Sequence, residues 1–249
     1  MNGVKTRTAT AVRLSGVTKA YRGQSEEAAA LRAVDLEVPA GAFLAVVGPS
    51  GSGKSTLLHC AAGLDVPTSG TVHIGDLEIS GMKETRRTMV RRERIGFVFQ
   101  AYNLVPSLTV ADNITLPLRL AGAAPDREWL GALVSNIGLD GLLGRRPAEL
   151  SGGQQQRAAL ARALVSRPDV VFADEPTGAL DLHTAAEVLD LLRRLVDVFG
   201  QTVVMVTHDP AAAARAHRTV IMADGRIAES LTSPTAQELA SRLTRLEQS

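Results

Sequence analysis

An apolar run that ends in a glycine-rich loop and restarts as a helix constrains this chain more than any other feature. Phe43-Leu44-Ala45-Val46-Val47 leads into Gly48-Pro49-Ser50-Gly51-Ser52-Gly53-Lys54-Ser55-Thr56. Five apolar residues without alternation read as a strand buried on both faces, the pattern of a parallel sheet covered by helices. The loop has the spacing G-x-x-x-x-G-K-[ST] and sits between strand and helix, as its chemistry requires. Glycines let the backbone turn its N–H groups inward, and the helix start adds partial positive charge. Lys54 is placed to reach the β- and γ-phosphates and Ser55 to coordinate Mg²⁺. A nucleoside triphosphate is the expected ligand. A dinucleotide loop is excluded, because a glycine series starting at Gly51 would need glycine where Thr56 stands.

The rest of the chain reads as one α/β unit. Strands are expected at residues 11–14, 31–38, 43–47, 71–74, 95–99, 170–173 and 202–206 and near Val220. Helices are expected at 55–62, 155–166 and 184–199, so strands and helices alternate and the sheet should be largely parallel. Residues 110–136 are rich in Ala and Leu and broken at Pro117, Gly122 and Pro125, which suggests short helices joined by turns. Asp224-Gly225 signals a hairpin turn, and Leu239, Leu243 and Leu246 share one helical face in the tail.

Composition narrows the function classes. A length of 249 residues with 45% hydrophobic content supports a real core. A net charge of +1 supplies no global field toward nucleic acid or an anionic membrane, so no nucleic-acid partner is expected. Cys60 is the only cysteine, residues 1–11 lack the apolar core of a signal peptide, and no apolar run approaches roughly 18 residues. The chain is therefore expected to be cytosolic and not to cross a membrane itself. The basic run Arg86, Arg87, Arg91, Arg92 and Arg94 interleaves with Glu84 and Glu93 and reads as a solvated face. Cys60 and Trp129 read as packing residues.

Two acids close the apolar stretch Val170-Val171-Phe172-Ala173. Asp174 can hold Mg²⁺ directly or through water, and Glu175 can polarise an attacking water. Both would lie where a parallel sheet presents its ligands, at the carboxyl ends of its strands. His208 follows the strand expected at 202–206, where an imidazole could contact the γ-phosphate.

Leu150-Ser151-Gly152-Gly153-Gln154 before a helix makes a second anion site from Ser151 and the amides of Gly152 and Gly153. With this pentapeptide the chain resembles the ATP-binding subunit of an ABC transporter, over residues 12–227. The resemblance implies a P-loop NTPase fold with a largely parallel core sheet, an N-terminal antiparallel β-subdomain and a helical insert. It implies one domain over residues 1–249: a RecA-like core with the antiparallel part at about 11–100 and 151–230, a helical part at about 101–165 and a C-terminal helix at about 234–247. It also implies ATP and Mg²⁺ as cofactors and a head-to-tail homodimer, in which Ser151, Gly152, Gly153 and Gln154 of one copy close over the ATP held by Lys54 of the other. Residue by residue, Tyr21 matches the aromatic that stacks on adenine and Gln100 the glutamine that touches Mg²⁺ and water. Asp181 matches the D-loop aspartate and His208 the switch histidine.

A separate integral permease is implied as partner, its coupling helix lying against residues 101–143, with the chain peripheral on the cytoplasmic face of the cell membrane. Ile95-Gly96-Phe97-Val98-Phe99-Gln100 with Asn103-Leu104, and Glu175-Pro176-Thr177-Gly178-Ala179-Leu180-Asp181, are similar to the lipoprotein-releasing and macrolide-efflux branch. That branch implies export or mechanotransmission. Ala179 stands where it commonly has Asn, and Ser25-Glu26-Glu27-Ala28 is an extra stretch before Leu31. A soluble ATPase of this type acting on DNA or ribosomes would carry a long coiled-coil insert or a second cassette. Signalling in cell division without transport is the other alternative.

Overall fold

The computed structural model describes residues 9–21 and 29–247; the stretch 25–28 and most of residues 1–11 lie outside them. The main sheet holds β3 (Phe43–Val47), β6 (Ile95–Val98), β7 (Val170–Asp174), β8 (Thr202–Val206), β9 (Arg218–Ala223) and β10 (Arg226–Thr232). Their spatial order is β10-β9-β3-β8-β7-β6, parallel throughout except for the antiparallel pair β9/β10. A second, antiparallel sheet has the order β2 (Leu31–Pro39), β1 (Thr10–Lys19), β4 (Ser69–Ile74), β5 (Leu77–Glu78).

The unbroken apolar runs are explained by two cores. Phe43, Ala45 and Val47 enter one core with Val171, Ala173, Val203 and Met205, while Leu44 and Val46 enter the other with Val170, Phe172, Val204 and Val206. Successive side chains of a strand point to opposite faces, so a strand buried on both sides must be apolar at every position. The second core also takes the inward residues of the antiparallel sheet, Val12, Leu14, Leu36 and Ile74, and α1 (Lys54–Ala61). The first is covered by α3 (Val110–Leu120), α4 (Arg127–Ile137), α5 (Gly152–Leu164), α6 (Leu182–Asp197) and α8 (Ala236–Glu247).

Several expectations change. α3 runs through Pro117 instead of breaking there. Thr109 caps its start, and the fully buried Asn113 side chain bonds Val105, Leu108 and Thr109, so tertiary anchors outweigh the one helical bond that proline removes. α5 starts at Gly152 and not near Gln155. Ser151 and Gln154 form a capping box that holds two poor helix formers in the first turn. The basic run is itself a helix, α2 (Glu84–Arg94), and only part of it is solvated. Arg87 is buried against Glu84, Arg91 bonds Gly63 O and Glu84, and Arg94 pairs with Asp76 and Asp169. A short α7 (Pro210–Ala213) was not expected either. The Asp224-Gly225 turn joins β9 to β10 with both residues at positive φ, 47° and 73°, as a type I′ hairpin needs. Trp129 packs on the first core and donates from Nε1 to Val165 O at 3.1 Å.

Candidate functional site

The strand order sets the site. β8 lies between β3 and β7, and Val46, Val206 and Asp174 form one row across them. Strands about 5 Å apart therefore bring the ends of β3 and β7 within roughly 10 Å, with the end of β8 between them. Asp174 ends β7 in that row, and past it stand the glycine loop after β3, Glu175 after β7 and Thr207-His208 after β8. The ladder continues into the loops: Thr207 N donates to Val46 O at 3.1 Å and Glu175 N to Val206 O at 3.0 Å.

The loop itself demands glycine at particular places. Gly53 has φ 99° and Gly48 φ 157°. A Cβ on Gly48 would lie 2.3 Å from Met222 O, and one on Gly53 would lie 2.3 Å from Ala30 O. α1 then begins on Gly53 with no side-chain cap and no acid in its first turn. Its first N–H groups and dipole are thus unspent, the condition for holding an anion. Lys54 Nζ donates to Gly48 O and Pro49 O, both at 2.8 Å, which folds the ammonium back over the loop. Burial pushes the Lys54 pKa down, opposed by the charges of Glu175 and Asp174. Pro49 and Ser50 complete the turn, Ser52 is buried within it, and Ser55 and Thr56 lie in the first turn of α1.

Across the gap, burial raises the Asp174 pKa; His59 and Lys54 pull it down and Glu175 adds to the rise. His59 Nε2 stands 4.0 Å from Asp174 Oδ2. Glu175 adopts a left-handed backbone, φ 47°, and its Oε1 lies 2.8 Å from His208 Nδ1. Backbone strain of this kind persists only where the surroundings fix it, and it gathers at working sites. Gln100 follows β6 and its side chain lies against Gly178, where a Cβ would come within 2.7 Å of Nε2.

The remaining expected residues sit apart from this cluster. Ser151 is exposed at the start of α5, and Gly153 packs so closely on Thr184 of α6 that a Cβ would lie 2.3 Å from its methyl. No hydrogen bond or ion pair among the described residues joins Ser151, Gly152, Gly153 or Gln154 to the glycine loop of the same chain. Asp181 caps α6, accepting from the N–H groups of His183 and Thr184, and these bonds lower its pKa. Tyr21 is 44% exposed at the end of β1, with Lys19 Nζ 5.1 Å from its ring centre.

Four residues that sequence reading did not single out belong to this picture: His59, Tyr102, Gln156 and Arg162. For His59 a signal existed, since Ser55 and His59 are four apart and share a helix face. The others make contacts distant in sequence, Tyr102 with Ala179 O, Gln156 with Pro176 O and Arg162 with Tyr102 O and Asn103 O, which local spacing cannot reveal.

A glycine cradle at the end of a buried parallel strand, facing a strand-terminal acid pair, defines a phosphate-binding α/β NTPase. The ABC transporter family profile matches residues 31–178. The lipoprotein-releasing system ATP-binding protein LolD of Gluconobacter oxydans is 43% identical over 229 residues, 91% of this chain and 99% of that protein. The macrolide export ATP-binding/permease protein MacB of Nitrosomonas europaea is 43% identical over 92% of this chain, which spans only 35% of that protein. A dimeric structure of the ATP-binding cassette MJ0796, in a post-hydrolysis state with ADP and Pi, superposes with TM-score 0.79 at 39% identity. It covers 90% of this chain and 99% of that one. The chain belongs to the ABC transporter family, in the branch of these lipoprotein-releasing and macrolide-export ATP-binding proteins, and it is an ATPase.

The donor set fits Mg²⁺. A carboxylate at Asp174, a hydroxyl at Ser55 and a carboxamide at Gln100 are hard oxygen ligands. Among the described residues the Asp174 carboxylate faces His59 at 4.0 Å and accepts no side-chain or backbone hydrogen bond, so its oxygens are available. No group of three or more His, Cys, Asp or Glu that could hold a metal occurs among the described residues. No helix of the described residues is long and apolar enough to cross a membrane.

Proposed function

We propose that the chain is the energy-coupling subunit of a transporter with a separate membrane permease, and that it works as an ATP-bound pair of identical copies. The observation that supports this best is the contrast between two helix starts. α1 begins without a side-chain cap beside Lys54, ready for phosphate, while exposed Ser151 and the amides of Gly152 and Gly153 open α5 elsewhere on the surface. One triphosphate on one chain has use for only the first, so the second serves the ATP of a twin docked head-to-tail.

In this reading residues 48–56 cradle the phosphates, Tyr21 stacks on adenine, and Asp181 helps seal the pair. Ser55, Gln100 and Asp174 hold Mg²⁺, which when bound neutralises charge on the β- and γ-phosphate oxygens. Glu175 orients the attacking water, and His208 fixes the Glu175 carboxylate at 2.8 Å and reaches toward the γ-phosphate. Residues 101–165 act as the helical part that moves relative to the core. The permease docks a cytosolic coupling helix against residues 101–143, which keeps the chain on the cytoplasmic face of the membrane. Export or mechanical transmission follows from likeness to the lipoprotein-releasing and macrolide-export proteins. Nucleic acid has no place in this scheme, given a net charge of +1.

The test is the Glu175→Gln chain in sedimentation velocity. With ATP and Mg²⁺ it should run as a dimer and turn over far more slowly than the parent. A strictly monomeric ATP-loaded form would refute the paired mechanism, and unchanged hydrolysis would remove Glu175 from its role.

A further inference from the structure

α5 carries two polar side chains that leave the helix to grip the two loops bearing the hydrolytic groups. Arg162 donates from one guanidinium nitrogen to Asn103 O at 2.5 Å and from the other to Tyr102 O at 2.8 Å. Tyr102 and Asn103, two and three residues after Gln100, both hold left-handed backbones, φ 58° and 51°. Gln156 is fully buried and donates from Nε2 to Pro176 O at 2.5 Å, the residue after Glu175. Neither arrangement is what a helix needs for its own stability. Among the described residues Arg162 has no carboxylate within ion-pairing distance, and burial lowers its pKa. A half-buried charge without an acid is costly to keep, and one spent on two successive carbonyls fixes geometry and little else. The Oε1 of Gln156 is buried without a hydrogen-bond partner, so half of that amide is left unsatisfied while the other half reaches the Glu175 loop.

We propose that Arg162 and Gln156 are positioning residues that tie α5 to the Gln100 loop and to the Glu175 loop, so that a displacement of the helix opened by Ser151 is passed on to the chain's own hydrolytic groups. Two neighbouring contacts follow the same line. Tyr102 donates its hydroxyl to Ala179 O at 3.5 Å, and a Cβ on Gly152 would stand 2.9 Å from that hydroxyl. The Gln100 loop is thereby lodged between the start of α5 and the segment leading to Asp181. A twin's ATP that seats Ser151 would then also set Glu175 and Gln100 in the chain that carries that serine, which links the two composite sites through each α5. This inference rests on the paired mechanism proposed above.

Arg162→Lys keeps the charge but cannot bridge two carbonyls with a planar fork, and Gln156→Leu keeps the bulk but loses the donor. Each full-length variant is assayed for steady-state ATP hydrolysis, KM for ATP and thermal unfolding. The expected result is a kcat lower by on the order of tenfold, since small misplacement of reacting groups has large effects. KM should stay within about twofold and the midpoint of unfolding within a few degrees of the parent. An unchanged kcat in both variants would overturn the proposal. So would a loss of rate that matches a loss of folded protein by circular dichroism, and if one variant fails to fold, the other decides. A Glu175→Gln chain that stays monomeric when loaded with ATP would instead refute the paired mechanism, a result distinct from failure of the tie.

Discussion

Gly53 and Gly51 stand two residues apart in the same loop and separate two costs of adding a methyl group. Both have positive φ, 99° and 79°. A Cβ on Gly51 meets no atom within 4 Å, so alanine there carries only the conformational penalty of a left-handed backbone, about 1–2 kcal/mol. A Cβ on Gly53 would stand 2.3 Å from the Ala30 carbonyl and 3.2 Å from a Leu31 methyl. Backbone must move to relieve that contact, which adds a steric cost of about 1–3 kcal/mol. The sums are about 1–2 kcal/mol for Gly51→Ala and about 2–5 kcal/mol for Gly53→Ala, against a total stability of about 5–15 kcal/mol. In a chain of this size each kcal/mol lowers the midpoint by roughly 2–4 °C. Nucleotide-free melts followed by circular dichroism should show Gly53→Ala falling roughly twice as far as Gly51→Ala or further. Equal losses, or a larger loss at Gly51, would refute the steric reasoning.

Two further outcomes follow from the charges and burial. Burial raises the Asp174 pKa, so its carboxylate is less comfortable folded than unfolded, and stability falls as pH rises from about 4, the unfolded value, through the folded one. Asp174→Asn should therefore abolish hydrolysis yet melt a degree or more above the parent at neutral pH, with the difference closing below about pH 4; a lower neutral-pH midpoint would contradict this. Cys60 is buried and its pKa is pushed up to about 12, so the folded protein should resist thiol reagents at neutral pH and react fully in denaturant. Rapid labelling of the native chain would show that α1 opens readily.

How much of this was legible beforehand depends on whether the cause was local. The apolar runs at 43–47, 170–173 and 202–206 announced buried strands because both faces of that sheet are covered, and the structure places all three within a residue of expectation. The glycine loop was equally plain, since its chemistry resides in its own backbone. α2 was missed because eleven residues with five arginines look solvated until Glu84, Asp76, Asp169 and the Gly63 carbonyl are brought to them from elsewhere. Pro117 misled because the Asn113 anchor that overrides it is a tertiary fact. In the site, the pairing of Glu175 with His208 follows from β8 lying next to β7, an adjacency that sequence distance hides. The grips of Gln156 and Arg162 reach 20 and 59 residues along the chain, beyond any spacing rule.

Whether the serine segment of one copy completes the phosphate site of another is tested most directly by mixing two crippled chains. Lys54→Ala and Ser151→Arg, each in the Glu175→Gln background, should retain almost no ATP on gel filtration when alone. Mixed in equal amounts, a head-to-tail pair rebuilds one whole site, from Lys54 of the second chain and Ser151 of the first, so ATP should be retained at up to one per mixed pair. A mixture that holds no more ATP than its separate components would contradict a site shared between two copies.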